Sequence, residues 1–294
     1  MNVLSCFDGM GCARLALDRI GIPVTNYYAS EIDKYAMKIA KKNYPDIQHV
    51  GDITKLKPSD FQVTNVDETI DLIIGGSPCQ GFSYCSTNRL NFDDPRSKLF
   101  FQFVWLYYEL KPKYFLLENV RMKQECQDVI SKYLGVEPIA INSSLVSAQN
   151  RHRLYWTNLP FDKLPEDKGI MLKDVLLDDA TEPMLSNIYG GFGEKKPRLH
   201  YGKSVTIRTS AGGGHIPSVT IKDGIRQLDP VEVERLQTVP DNYTEGVSKT
   251  QRLRMLGNGF TVDVISHLLR GLKKPPDFTR VYHHQMEFEQ IQLA

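Results

Sequence analysis

The stretch Val3-Leu4-Ser5-Cys6-Phe7-Asp8-Gly9-Met10-Gly11 decides the fold. Val3 to Phe7 has the unbroken, mostly apolar character of a strand buried on both faces, and it runs directly into glycines. Ala13 to Ile20 then reads as a helix, stopped by Gly21 and Pro23. Glu31 ends the next apolar run, Tyr27 to Ser30, about 20 residues after the turn, which is the spacing of a unit that holds a nucleoside. Glycines let the backbone approach such a ligand, a helix N-terminus polarises it, and a carboxylate at the following strand end can accept both ribose hydroxyls. An ordinary tight turn uses the same glycines, so this motif alone leaves both readings open.

Outward from that unit, apolar runs at Leu72 to Ile74, Tyr114 to Leu117, Ile139 to Ile141 and Leu154 to Thr157 alternate with helical stretches such as Lys98 to Leu110. The βαβα order predicts α/β architecture over residues 1–158, a mostly parallel, doubly wound sheet covered on both faces. Residues 159–227 differ, with many Gly and Pro, an acidic stretch and then a basic one (Lys195, Lys196, Arg198, His200, Lys203, Arg208). They are expected to form a second, smaller domain. Residues 228–256 read as a return segment, and 257–294 as a C-terminal helix, Val262 to Leu272, with a tail that packs back on the first domain.

The chain has 294 residues, 41% hydrophobic and 24% charged, enough for a sizeable core and unlike a disordered chain. Its formal net charge is only +1, so affinity for a polyanion has to come from local clusters of Lys and Arg. The five cysteines are odd in number and lack paired C-x-x-C spacing, which argues against a disulfide framework or a zinc site and fits a reducing cytoplasm. No signal peptide and no run of about 20 apolar residues is apparent, so a soluble protein without membrane contact is expected.

Further chemistry-bearing residues fall at strand ends. Asp52 follows a short strand at His49 and Val50, where it serves either a ligand or a helix or turn cap. Asp71-Leu-Ile-Ile-Gly-Gly-Ser-Pro-Cys79-Gln80-Gly-Phe-Ser83 delivers a cysteine into a Gly- and Pro-rich loop, although a free Cys is more often a small buried hydrophobe. Glu118-Asn119-Val120 ends another strand and lies beside that loop if the two strands are neighbours. Gln149-x-Arg151-x-Arg153 puts three long donors on one face, with a solvated charge face as the alternative.

Taken in order, these motifs resemble those of the cytosine-C5 DNA methyltransferases, and the resemblance covers nearly the whole chain. Phe7-x-Gly9-x-Gly11 resembles the first cofactor motif, Ser-Pro-Cys79-Gln80 the nucleophile loop, Glu118-Asn119-Val120 the acid motif, and Gln149-x-Arg151-x-Arg153 the arginine motif. Arg235-Leu-Gln-Thr-Val-Pro240 and Gly257-Asn258-Gly259 resemble the two motifs that follow target recognition. Cys12, Ser77 and Thr238 depart from it, standing where a glycine, a proline and a glycine are common. The compact form is similar to phage and bacterial enzymes and to the catalytic domain of animal de novo methyltransferases.

The resemblance implies a Rossmann-like catalytic domain, a small target-recognition domain at 159–227, and S-adenosylmethionine as cofactor, left as S-adenosylhomocysteine. It implies catalytic roles for Cys79, Glu118, Arg151 and Arg153, and no metal. It places the cofactor among Phe7, Asp8, Gly9, Gly11, Glu31, Ile32, Asp52, Ile53, Pro78, Leu99 and Asn258. Double-stranded DNA is the implied partner, gripped by Gln80, Ser83, Gln149, Lys195, Lys196, Arg198, Lys203, Thr206 and Arg208. A monomer is expected, cytoplasmic and nucleoid-associated in a prokaryotic or phage-infected cell, with a cognate restriction endonuclease acting separately. Two alternatives are an RNA methyltransferase and an inactive DNA-binding regulator. The tRNA branch typically carries a late Cys-Phe-Thr and no cysteine follows Cys126, while a dead enzyme should have lost Cys79, Glu118 or a motif arginine.

The chemistry explains the residue types. Cytosine C5 is too weak a nucleophile to take a methyl group, so a thiolate must first add at C6, as Cys79 would. An ordinary carboxyl is ionised at neutral pH and cannot donate a proton to the ring, so burial or the bound base has to favour the protonated form of Glu118. The target base must leave the duplex for any of this to occur.

Overall fold

The computed structural model describes residues 1–61, 69–78, 99–188, 196–209 and 216–275. Cys79, Gln80, Ser83 and Lys195 lie outside the described residues, as do Cys85, the glycine run at 212–214 and the C-terminal tail from 276.

Strand β1 (Asn2–Cys6) is buried along its whole length, as its apolar run requires. After it the chain forms α1 (Cys12–Arg19), β2 (Asn26–Ser30), α2 (Lys34–Asn43) and the short β3 (Gln48–His49). It then crosses to β4 (Leu72–Gly76), α3 (Leu99–Leu110), β5 (Tyr114–Val120), α4 (Gln124–Leu134), β6 (Ile139–Asn142) and β7 (His152–Thr157). These strands form one seven-stranded sheet in the order β3-β2-β1-β4-β5-β7-β6. All pairings are parallel except those of β7, which runs against both β5 and β6. The link from Asn142 to His152 is shorter than the dozen or so residues a parallel crossover needs, so the chain has to turn back on itself there.

Both faces of the sheet are covered. Val3, Leu72, Ile74 and Leu116 join one apolar cluster, which includes α1 and the C-terminal helix, while their neighbours Leu4, Ile73, Phe115 and Leu117 join another with α3 and α4. That alternation is the two-residue period of a strand with apolar residues on both sides.

A separate antiparallel sheet, β11-β10-β8-β9, lies within the 159–227 segment. Its strands are β8 (Ala180–Ser186), β9 (Arg198–His200), β10 (Ser218–Ile221) and β11 (Gly224–Gln227). The last two form a hairpin in which Ile221 pairs with Gly224 across Lys222 and Asp223. The return segment holds two helices, α5 (Pro230–Leu236) and α6 (Lys249–Asn258), which sequence periodicity did not reveal. Asp229 caps α5 reciprocally with Glu232, and Pro230 occupies the first turn. The expected C-terminal helix is α7 (Val262–Leu269), extended by a 3₁₀ turn at Arg270–Lys273 and packed on α1. Among the described residues no helix is long and apolar enough to cross a membrane.

Candidate active site

The strand order reverses between β1 and β4, and ligand sites in open α/β sheets lie at such a point, beyond the carboxyl ends of the strands. Phe7 to Gly11, Glu31, Ser77-Pro78 and Glu118 all lie at that edge, as the ends of β1, β2, β4 and β5 dictate.

The first turn is held in an unusual backbone path. Phe7 has φ 58°, a left-handed conformation that costs a side-chain-bearing residue about 1–2 kcal/mol. Gly11, at φ 83°, is the N-cap of α1 and leaves room for Tyr243, whose hydroxyl donates to the Met10 carbonyl at 2.9 Å. Gly9 N–H donates to Glu31 Oε2 at 2.8 Å, while the N–H groups of Ile32 and Asp33 donate to Oε1 at 2.7 and 2.8 Å. Glu31 is thus fixed by three backbone donors, with a lone pair on Oε2 still available. Beside it Ile32 is 76% exposed, an apolar surface that the core does not use. Ile53 is buried. Asp52 caps the turn Ile53–Lys55, accepting from Thr54 N–H and Oγ1, both at 2.9 Å, and these bonds hold its carboxyl below the usual range. Capping and ligand contact were alternatives for Asp52; the cap is present and occupies Oδ1.

Asp8 departs from the expected lining. Its side chain is buried, Oδ1 accepts from the Tyr27 hydroxyl at 2.6 Å, and Oδ2 has no hydrogen-bond partner among the described residues. Burial pushes its pKa up to about 6, the hydroxyls of Ser5 and Tyr27 pull it down, and the charge of Glu31 adds to the rise. The Asp8 carboxyl therefore belongs to the interior beneath the turn and not to the ligand surface.

Glu118 lies beside the end of the strand that leads toward Cys79. Gly76, the last residue of β4, pairs with Glu118 on β5, and the chain then leaves through Ser77 and Pro78 toward Cys79. Glu118 Oε1 meets Arg153 Nε at 2.9 Å, both side chains being 13% exposed, because antiparallel β7 brings Arg153 opposite Val120. A Cβ on Gly76 would lie 3.1 Å from Glu118 Oε2 and 3.0 Å from the Phe260 ring. Asn119 Nδ2 donates to Ser77 Oγ at 3.0 Å, so the acid strand also fixes the entry to the nucleophile loop. Asn119 and Phe260 were missed as site residues. Asn119 was readable as part of Glu-Asn-Val, whereas nothing in the sequence brings Phe260 to this edge.

The arginine motif needs correction. Only Arg153 reaches the site edge in the expected way. Gln149 is fully buried: its amide donates to the Leu236 carbonyl and Gln237 Oε1, and its Oε1 accepts from Ile207 N–H. A side chain with no exposed surface and all these bonds internal cannot grip DNA, so its assignment to DNA fails. Arg151 is 3% exposed and donates to the carbonyls of Ile207, Gly257 and Gly259 at 3.0, 3.2 and 3.0 Å. These carbonyls come from two segments well separated in sequence, one before β10 and one at the end of α6, and Arg151 draws them together. Gly257 is required there, since a Cβ would sit 2.6 Å from the Arg208 carbonyl and Thr209 N. Thr209 Oγ1 donates to exposed Asn258 at 2.7 Å. Thr238, standing where a glycine is common, has φ 55°, a path on which a β-branched residue is strained.

The basic cluster divides. Lys196, Arg198 and Arg208 are exposed. Lys203 is not available: Nζ donates to the carbonyls of Ser144, Ser147 and Ile170 at 2.8, 3.1 and 2.6 Å, which uses all three donors, so its expected DNA contact is withdrawn. Thr206 Oγ1 donates to the Asn150 carbonyl at 2.6 Å, and the His200 ring shares a bond with Ser186 Oγ. Leu99 is partly buried at the start of α3. Among the described residues no His, Cys, Asp and Glu cluster could hold a metal ion.

The C-5 cytosine-specific DNA methylase family matches residues 1–163 and 182–274. The Type II methyltransferase M1.ScrFI of Lactococcus lactis subsp. cremoris is 29% identical over 305 residues, covering 90% of this chain and 76% of its own. The Type II methyltransferase M.HhaI of Haemophilus parahaemolyticus is 26% identical over 317 residues, covering 91% and 93%. Among solved structures, a prophage-encoded DNA modification methyltransferase of E. coli matches with a TM-score of 0.69 at 23% identity, over 94% of this chain and 99% of that one. The S. pombe Dnmt2 methyltransferase matches with a TM-score of 0.67 at 19% identity, over 93% and 100%. These two likenesses establish the fold. The family match breaks only between 163 and 182, just before the second sheet takes shape, and the chain belongs to the C-5 cytosine-specific DNA methylase family.

Proposed function

We propose that this DNA cytosine-5 methyltransferase transfers a methyl group from S-adenosylmethionine to C5 of a cytosine flipped out of double-stranded DNA at a short specific site. The observation that carries the reading is the pairing of Gly76 with Glu118, which sets an acid beside the strand that opens into Cys79. When bound, S-adenosylmethionine supplies a methyl group on a positively charged sulfur. The residues fit it: Glu31 is anchored by three N–H groups with Oε2 free to accept from a ribose, and exposed Ile32 offers an apolar face to adenine. Phe7, Gly9, Gly11, Asp52, Ile53, Pro78, Leu99 and Asn258 complete the proposed enclosure.

Cys79 adds through its sulfur to C6 of the flipped base, which makes C5 electron-rich. Glu118 holds a proton at N3 as charge builds on the ring. Glu118 is paired with Arg153 beside the strand end, so an arriving base engages both groups together. After methylation the C5 proton leaves to a base, the bond to Cys79 breaks, and the ring regains aromaticity. Arg153 stands ready to contact the cytosine O2, while Arg151 acts as a brace. The small sheet at 180–227 and its exposed Lys196, Arg198 and Arg208 are proposed to hold the duplex, within a recognition domain spanning 159–227. We further propose a cytoplasmic monomer, with any partner endonuclease acting separately.

Duplex DNA carrying 5-fluorocytosine tests the chemistry, because fluorine cannot be eliminated and the covalent adduct stays on the protein. Wild type should form a denaturant-resistant complex and Cys79→Ser none, while both still bind cofactor. An adduct that persists in Cys79→Ser would place the nucleophile elsewhere, and an adduct with tRNA but not with duplex DNA would reassign the substrate.

A further inference from the structure

Asp8 lies at the centre of the cofactor turn yet offers a ligand no direct contact. Its neighbours Phe7 and Gly9 both take left-handed backbone, its own N–H donates to the Ser30 carbonyl at 3.0 Å, and its carboxyl is driven down into the protein. One carboxyl oxygen is satisfied by Tyr27; the other is buried with no well-formed hydrogen bond, the Ser5 hydroxyl being its polar neighbour. Leaving a carboxylate oxygen bare in the interior is unfavourable, and an apolar side chain of similar size would pack there at lower cost. The groups around it are Ser5 and Cys6 from β1, Cys12 from α1, Tyr27 and Glu31 at β2, and Tyr243 from the segment between α5 and α6. None of the groups acting on Asp8 carries a positive charge; the cations Arg151 and Arg19 act on Cys12, at the margin of the cluster. The thiols of Cys6 and Cys12 and the phenols of Tyr27 and Tyr243 are all raised in pKa, by burial first and by the charge on Asp8 in addition, so they stay neutral and add no charge beside it. Among the described residues, the Asp8 carboxyl beneath the turn thus has no paired cation.

We propose that Asp8 is a buried counter-charge through which the site prefers a positively charged S-adenosyl sulfonium to the neutral thioether left after methyl transfer. The inference rests on the cofactor reading above and deepens it. Donor and product differ by one methyl group and one positive charge. Apolar contact alone discriminates weakly on a single methyl, whereas a charge held in a poorly screened interior discriminates by attraction at a distance, without touching the ligand. Such a device also loosens the site once the methyl has gone, which favours exchange of spent product for fresh donor.

The pH dependence follows from the direction of the shift. Asp8 is protonated below about pH 6 and charged above it. A cation binds the charged form better, so donor affinity rises relative to product affinity as pH passes upward through that range. The sulfonium lowers the donor's own amino pKa, so that ligand titration is common to wild type and Asp8→Asn and is removed by comparing their profiles.

Calorimetric titration of the full-length protein with S-adenosylmethionine and with S-adenosylhomocysteine, between pH 5 and 8 and in buffers of different ionisation heat, tests the proposal. For wild type the donor-to-product affinity ratio should climb by roughly three- to tenfold from the acid to the neutral end, with proton release on binding donor but not product. Asp8→Asn should flatten that ratio. Tyr27→Phe keeps the carboxyl but removes the bond that favours its charged form, so the climb should move to higher pH. If Asp8→Asn does not fold, the wild-type profile and Tyr27→Phe decide the matter. A ratio that does not change with pH in wild type, or one that Asp8→Asn leaves intact, overturns the counter-charge. Failure of both ligands to bind wild type would instead overturn the cofactor reading.

Discussion

Glu118 and Arg153 share a pair that is neither surface nor core, at 13% exposure on each side, and that intermediate setting suits the proposed exchange of partners with an arriving base. Glu118→Gln keeps the shape and removes the charge and the transferable proton. The methylation rate should fall by roughly 10²- to 10⁴-fold in single-turnover assays, with cofactor affinity little changed; a drop of less than about threefold would remove Glu118 from the chemistry. Lys203 gives the opposite expectation. Its ammonium ties together carbonyls of Ser144, Ser147 and Ile170, so Lys203→Met should lower unfolding free energy by about 1–3 kcal/mol in urea titrations and leave the salt dependence of DNA binding unchanged. Lys196→Ala should do the reverse, reducing the salt slope by about one with no loss of stability.

Among the elements, strand ends are where sequence reading did best and the second half of the chain is where it did least. β1, β2, β4 and β5 are buried apolar runs that end in Gly, Glu, Ser-Pro and Glu, so both the architecture and the site edge were legible at once. The arginine motif misled because alternation assigns a face but does not say which face is buried: Gln149 and Arg151 turn inward only because the 204–209 backbone and α5 come to cover them. The second sheet had one readable signal, the two-residue hairpin between β10 and β11, while β8 holds Pro183 and carries no clear alternation. Gly257, legible in the sequence only as part of Gly257-Asn258-Gly259, is a packing glycine. Gly257→Ala should destabilise the protein by about 2–4 kcal/mol in thermal or urea unfolding, since its Cβ meets backbone atoms that cannot swing away.

Across the whole molecule, the second sheet is tied by charge to helix α5 as well as by chain. Arg226 on β11 reaches Glu232 of α5 at 2.9 Å and Asp179 at 2.6 Å, and Glu232 is fully buried. Arg226→Met would strand a buried carboxylate, at a cost of about 3–5 kcal/mol. The expected outcome is a lower midpoint in urea, with early loss of protection from hydrogen exchange along β10 and β11. A variant as stable as wild type would mean that the chain connection alone holds the second sheet in place.

The brace formed by Gln149, Arg151 and Gly257 divides the recognition segment into parts that can be exchanged and a part that cannot. Residues 204–209 lie between β9 and β10 in the chain, yet they dock on the scaffold through Ile207, Thr206 and the Arg208 backbone. Specificity grafts should therefore be cut as two cassettes, 180–202 and 216–225, with the native 203–209 splice and Arg226 retained. Chimeras built that way should express as folded protein by circular dichroism and adopt the donor's methylation pattern. A single transplant of 180–227 carries a foreign clamp into a socket shaped for this one, and it should yield insoluble or inactive protein.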